Sequence, residues 1–199
     1  MSVTTVNQPC ISILGPKLRI LHTFSTQGSK MIYKRLSKAL LMITLISTCS
    51  VSLALEEGDK IPEFDIASIY ENQPNISLKD LEGKTLFIDF WASWCAPCIT
   101  SLPLYNEIYD KYQDQGLEVI AVNVDNPIED GLDFLLDTPL DFLIPQDPEG
   151  DVSEMFGVIG MPSSYLVSPD GSVRLVHMGF RNGDIDIIEE EIQKVLAEN

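Results

Sequence analysis

Along residues 55–199 the apolar positions run, alternate or recur every three to four residues, and each pattern predicts a different element. Thr85 to Phe90 is a near-continuous apolar run broken by one acid, Asp89, and Leu117 to Val124 is a second. Such runs suit strands covered on both faces. Ile61 to Ile66 alternates as a short half-buried strand, and Ile76-Ser77-Leu78 returns as another after the turn cluster Tyr70 to Asn75. Ser77 to Gly83 fits one helical turn stopped by glycine. From about Cys98 the period lengthens: Leu104, Ile108 and Tyr112 share one helix face and Glu107 and Lys111 another. Pro103 is expected to bend that helix and Gly116 to end it. Asp125-Asn126-Pro127 opens a helix to about Leu136, with Pro127 near its first position. Leu140 to Ile144 reads as a short strand and Val152 to Phe156 as a brief helix ended at Gly157. Ser164–Val167 and Val173–Met178 flank the turn Ser168-Pro169-Asp170-Gly171 as a hairpin. Asp184 to Leu196 is a closing amphipathic helix with Ile185, Ile188, Ile192 and Val195 inward.

Strands that alternate with helices and end in a hairpin plus helix mean a layered α/β domain. At this length such a domain buries about two-thirds of its unfolded surface, enough for a core without covalent staples.

Charge divides the chain. Residues 1–54 carry Lys17, Arg19, Lys30, Lys34, Arg35 and Lys38 and no acid, which leaves seven bases against 30 acids, a net of −23, in residues 55–199. From Met31, basic residues up to Lys38 precede an uncharged stretch from Ala39 to Leu55 and the small-residue site Ser52-Leu53-Ala54. That order predicts a secretory signal over residues 31–54, cleaved after Ala54. The alternative is an N-terminal anchor touching the membrane only through residues 39–55, a stretch short and polar for a span. A lipidated Cys49 is a weaker alternative. Residues 1–30 read as an extension that precedes the true start at Met31. Export places the domain in an oxidising compartment, the periplasm or cell envelope, where disulfides persist. The acidic surface excludes nucleic acid as a partner, because phosphates are repelled.

The chemistry concentrates where the first apolar run ends, at Phe90-Trp91-Ala92-Ser93-Trp94-Cys95-Ala96-Pro97-Cys98. Two cysteines three apart at a helix start can close into a disulfide, and the helix N-terminus favours the thiolate. Strand, Cys-x-x-Cys and helix together are a thioredoxin-like redox signature. As a structural staple the pair would close too small a loop to restrain the unfolded chain. A zinc site needs four ligands, and residues 55–199 add only His177 to the two cysteines, so no metal is expected. Trp91 and Phe90 read as core, and His177 is assigned no role.

Over about Gly58 to Phe180 the chain resembles the TlpA/ResA group of exported thioredoxin-like proteins. The likeness rests on the lead-in Ser77 to Lys84, the Cys-Ala-Pro-Cys stretch, and Pro103. It extends through Val122-Asn123-Val124-Asp125, Gly160-Met161-Pro162 and Ser168-Pro169-Asp170-Gly171. It implies a thioredoxin-like fold: a central mixed β-sheet flanked by helices, with the group's N-terminal extension and a central insert over residues 124–146. It also implies roles. Cys95 would be the exposed nucleophile and Cys98 the resolving thiol, with Ala96 and Pro97 shaping the site. Met161-Pro162 would be the cis-proline loop that offers backbone to a substrate peptide, and Trp94 would shape substrate contact.

Many relatives in that group carry a glutamate three residues after the second cysteine, where this chain has Ser101. Asp89 instead matches the buried aspartate of ordinary thioredoxins. It is expected behind Cys98 with a raised pKa, taking the Cys98 proton during resolution. The implied activity is disulfide exchange on exported, disulfide-containing proteins, in the reducing direction, with electrons from a membrane thiol donor and no cofactor. Cytochrome c maturation is one use. The alternatives are a peroxiredoxin-like thiol peroxidase with antioxidant activity, whose Pro-x-x-x-Thr-x-x-Cys pattern is absent before Cys95, and a redox-inactive peptide-binding module.

Overall fold

The computed structural model describes residues 54–198. The signal or anchor over residues 31–54, apart from Ala54, the extension 1–30 and Cys49 lie outside the described residues. Among the described residues no helix is long and apolar enough to cross a membrane.

Two short strands, β1 (Asp65–Ile66) and β2 (Ile76–Ser77), pair antiparallel and lead through a 3-10 turn (Leu78–Leu81) into β3 (Thr85–Trp91). Helix α1 (Ala96–Tyr112) follows, then β4 (Leu117–Asn123), α2 (Glu129–Asp137) and α3 (Asp151–Phe156). The hairpin β5 (Ser163–Val167) and β6 (Val173–Met178) and helix α4 (Asp184–Ala197) complete the chain. The main sheet has the order β4-β3-β5-β6. β3 runs parallel to β4 and antiparallel to β5, so the sheet is mixed as expected. This is the thioredoxin-like fold.

Every residue of β3, β4 and β5 is buried, because both faces of the sheet are covered. Side chains alternate across a strand, and the two cores follow that alternation. Phe87 and Trp91 of β3 join Leu102, Tyr105 and Ile108 of α1 and Ile188, Ile192 and Val195 of α4. Leu86, Ile88 and Phe90 point the other way, onto Phe156, Tyr165 and the β1–β2 segment. Asp89 sits between Phe87 and Trp91, so the same alternation turns it toward the helix that carries Cys98.

Several elements differ from the periodicity reading. α1 starts at Ala96 and continues unbroken through Pro103, which lies on its exposed side. Its buried face is Cys98, Ser101, Leu102, Tyr105, Ile108 and Tyr112, with Leu104 only half-buried. Pro127 does not open α2: the Asn126–Pro127 bond is cis and the helix begins two residues later, after Ile128. Leu140 to Ile144 is not a regular strand, but from Leu143 to Asp147 the chain runs parallel to the free edge of β4. Leu143 N–H donates to the Val119 carbonyl, Ala121 N–H to that of Leu143, Asn123 N–H to that of Pro145 and Asp147 N–H to that of Asn123. Phe142 and Ile144 face one core and Leu143 the other, the alternation of a strand. Gly116 takes a φ of 95° where the chain reverses from α1 into β4, a conformation that favours glycine.

Candidate active site

The end of β3 delivers the chain to a tight turn in which Cys95 caps α1. The Cys95 N–H donates to the Ala92 carbonyl at 3.1 Å, and Ile99 N–H donates back to the Cys95 carbonyl at 3.1 Å. Pro97 occupies the first turn of the helix, where a missing N–H costs nothing. Cys95 and Cys98 are joined in a disulfide with Cα atoms 5.2 Å apart. Cys95 Sγ also accepts the Cys98 N–H at 3.3 Å. One first-turn N–H of the kind that would stabilise a thiolate, that of Cys98, therefore already faces this sulfur.

Cys95 is less open than the sequence reading expects. It retains 6% of its surface against none for Cys98. In the oxidised state its sulfur is tied to Cys98 and packs into the core cluster that holds Trp91, Ala92 and Leu102. Cys95 remains the one of the pair that reaches the surface.

Trp94 stands out from the same turn, 69% exposed. The Met161–Pro162 bond is cis. Met161 is half-buried and packs against the cluster containing both cysteines. Trp94 and Met161, with Val124, Ser153, Val158 and Ile159, line an open cleft of about 500 Å³. Ile159 on its rim is 83% exposed. A second cleft of about 520 Å³ runs past Lys60, Lys84 and Asp170. Neither cleft is lined by a cysteine, but the first includes Trp94, next to Cys95, and Met161 of the cis-proline loop, whereas the lysines of the second are engaged with Asp170 and Glu118.

Asp89 is fully buried and lies opposite Ser164 in the β3–β5 register. Its Oδ1 accepts the Ser164 hydroxyl at 2.6 Å, and its Oδ2 has no partner. Burial pushes its carboxyl up to about 8, with the Ser164 bond pulling the other way. Ser164 Oγ lies 3.5 Å from the Tyr105 hydroxyl on α1. Ser101, one turn past Cys98, donates to the Cys98 carbonyl at 3.0 Å.

A second buried acid, Asp125, was read from the sequence only as part of a motif. It accepts the Ser93 N–H at 2.9 Å, the Ser93 hydroxyl at 3.0 Å and the Asn123 side-chain amide at 2.7 Å. It thereby pins the turn that presents Trp94 and Cys95. Ser164 and Tyr105 were also missed. The one available signal was a pair of small polar residues, Ser163-Ser164, opening an otherwise apolar strand. His177 faces Ser164 across the hairpin and pairs with Asp184 at 3.1 Å. Among the described residues no cluster of His, Cys, Asp or Glu is arranged to hold a metal.

A thioredoxin-like fold with a Cys-x-x-Cys disulfide capping a helix and a cis-proline loop ahead of β5 is the architecture of the thiol–disulfide oxidoreductases. The chain belongs to the AhpC/TSA family, whose model matches residues 57–176. It is 33% identical over 124 residues to thiol-disulfide oxidoreductase ResA of Oceanobacillus iheyensis, covering 61% of this chain and 65% of that protein, just under two thirds. It is 35% identical over 119 residues to the ResA of Bacillus thuringiensis subsp. konkukian, covering 60% of this chain and 68% of the relative. A crystal structure of a protein assigned as thiol:disulfide interchange protein DsbE from Chlorobium tepidum superposes with a TM-score of 0.69 at 38% identity. It covers 72% of this chain and 99% of that one.

Proposed function

We propose that this protein reduces disulfides in exported proteins through the Cys95–Cys98 pair. The observation that carries the reading is the disulfide itself, closed at the N-terminus of α1 beside an apolar cleft. In the reduced form the Cys95 thiolate attacks a substrate disulfide, forming a mixed disulfide and releasing one substrate thiolate. Cys98 then gives its proton to the Asp89 carboxylate and attacks the Cys95 sulfur. The Cys95–Cys98 bond forms and the second substrate thiolate leaves. Two electrons pass from the protein dithiol to the substrate, and the structure corresponds to the oxidised product. A membrane thiol donor is the proposed source of the electrons that regenerate the dithiol.

Asp89 suits the acceptor role because β3 aims it at the helix of Cys98, and burial, by raising its carboxyl to about 8, makes the ionised form basic enough to take a thiol proton. Trp94, Met161 and Pro162 are the proposed substrate contacts, with the cleft that Trp94 and Met161 line taking an apolar side chain next to the target cysteine. The residues ahead of Cys95 lack the Pro and Thr that peroxide reduction would call for, so disulfide exchange is preferred. The basic-then-uncharged stretch before Glu56 supports export, and apocytochrome c cysteines are the first substrate to test.

Reduction of insulin disulfides tests the activity. The wild-type protein is expected to be active and Cys95→Ser to fall to background. Peroxide consumption without insulin reduction would replace this reading with a thiol peroxidase. Loss of both activities in the wild type would leave a binding module. Equilibration with glutathione decides direction: a strongly oxidising potential would overturn the reductant role.

A further inference from the structure

The buried hydroxyls beside Asp89 form an ordered chain. A serine hydroxyl has a single proton, and that of Ser164 goes to Asp89 Oδ1 at 2.6 Å. Ser164 Oγ can therefore only accept from Tyr105, whose hydroxyl lies 3.5 Å away. Burial and the nearby Asp89 charge push the Tyr105 phenol well above its ordinary range, so it stays a donor. Direction is thus set from Tyr105 to Ser164 to Asp89. A neutral carboxyl that accepts on Oδ1 must carry its proton on the other oxygen, and Oδ2 is the atom left without a partner.

We propose that Ser164, oriented by Tyr105, is a positioning residue that holds Asp89 by Oδ1 so that Oδ2 alone loads and unloads the proton. The elements around Asp89 leave few competing groups. β4 offers Ala121 in register, β5 offers Ser164, and α1 offers Tyr105. On β6, His177 faces Ser164 and is engaged by Asp184 of α4. Tyr105 belongs to the same helix as Cys98, so the hydroxyl chain ties the carboxyl to the element bearing the resolving thiol. Where relatives of the TlpA/ResA group place a glutamate, this chain has Ser101, whose hydroxyl goes to the Cys98 carbonyl. Asp89 is then the carboxyl on which the hydroxyl chain ends, Asp184 acting on Tyr105 only through space. The consequence for rate rests on the reading of Asp89 as proton acceptor given above; the positioning itself does not.

The experiment is a carboxyl-carbon NMR titration of the oxidised full chain from pH 5 to 10, with the Asp89 signal assigned by its loss in Asp89→Asn. Ser164→Ala is expected to raise the Asp89 midpoint by about one unit, since the lost bond favoured the carboxylate. Tyr105→Phe keeps the ring against Phe87 and Phe180 and is expected to raise it by less. A Ser164→Ala midpoint equal to wild type overturns the proposal. If Ser164→Ala gives no folded spectrum, the test passes to Tyr105→Phe, and an unmoved midpoint there overturns it equally. The pH profile of mixed-disulfide resolution is then measured in the same variants. A midpoint that moves while the profile stays put upholds the positioning role and removes Asp89 from the reaction.

Discussion

Asp89 and Asp125 are both carboxylates buried to 1% exposure or less, one in the middle of β3 and the other just past the end of β4. Asp125 accepts three hydrogen bonds, two of them from Ser93, and so locks the turn ahead of Cys95. Asp89 accepts one and leaves Oδ2 bare. Equal burial therefore produces opposite parts. A carboxylate that accepts from three donors serves as a clamp. One with a single donor is driven toward its protonated form, which suits the proton-acceptor role proposed for Asp89.

The largest expected effect is on pH dependence. A carboxyl whose folded pKa is raised from 3.8 to about 8 contributes most below the unfolded value. The folded state binds the proton more tightly there, so stability falls as pH rises from about 4 to about 8 and then levels off. The decline should be ~1.4 kcal/mol per pH unit in that window. Urea unfolding of oxidised Asp89→Asn should lose this slope; a retained slope would break the contrast between the two acids. Next comes Asp125→Ala, which strands the Ser93 N–H and hydroxyl and the Asn123 amide. It should cost ~3 kcal/mol at pH 7, whereas Asp89→Asn at the same pH should not destabilise.

Smaller still is Gly131→Ala. A Cβ there would stand 2.7 Å from Asn123 Oδ1, and that side chain is held by Asp125. The helix preference for alanine is offset, and a net loss of about 1–2 kcal/mol is expected in the same assay. Trp94→Ala should change stability by less than ~0.5 kcal/mol, since the ring is mostly exposed. Its effect is expected in KM for a disulfide substrate, raised with kcat little changed; an unaltered KM would remove Trp94 from the proposed contacts.

Legibility in the sequence followed locality. β3 and β4 declared themselves because an unbroken apolar run can satisfy burial only between two covered faces. The hairpin at Ser168-Pro169-Asp170-Gly171 was equally plain, since its turn chemistry is carried by adjacent residues. The run Leu140 to Ile144 was legible in part: its side chains alternate between the two cores, but pairing with the edge of β4 starts only at Leu143, a register that the fold decides. Pro127 misled outright. It was read as a helix opener, and its cis bond instead ends the loop before α2.

By itself, the chain's order of residues determined the element types of the core, the class of fold and the two sulfurs that close on each other. Each of these depends on neighbours within a few positions: alternation for a strand, spacing for a disulfide, an amide-rich first turn for a reactive thiol. Tertiary structure alone decided which buried acid is clamped and which is left with a bare oxygen. Ser164 reaches Asp89 across 75 positions, and Ser93 reaches Asp125 across 32. Burial and the single Ser164 bond set the Asp89 carboxyl, and both exist only once β3, β5 and α1 have packed together.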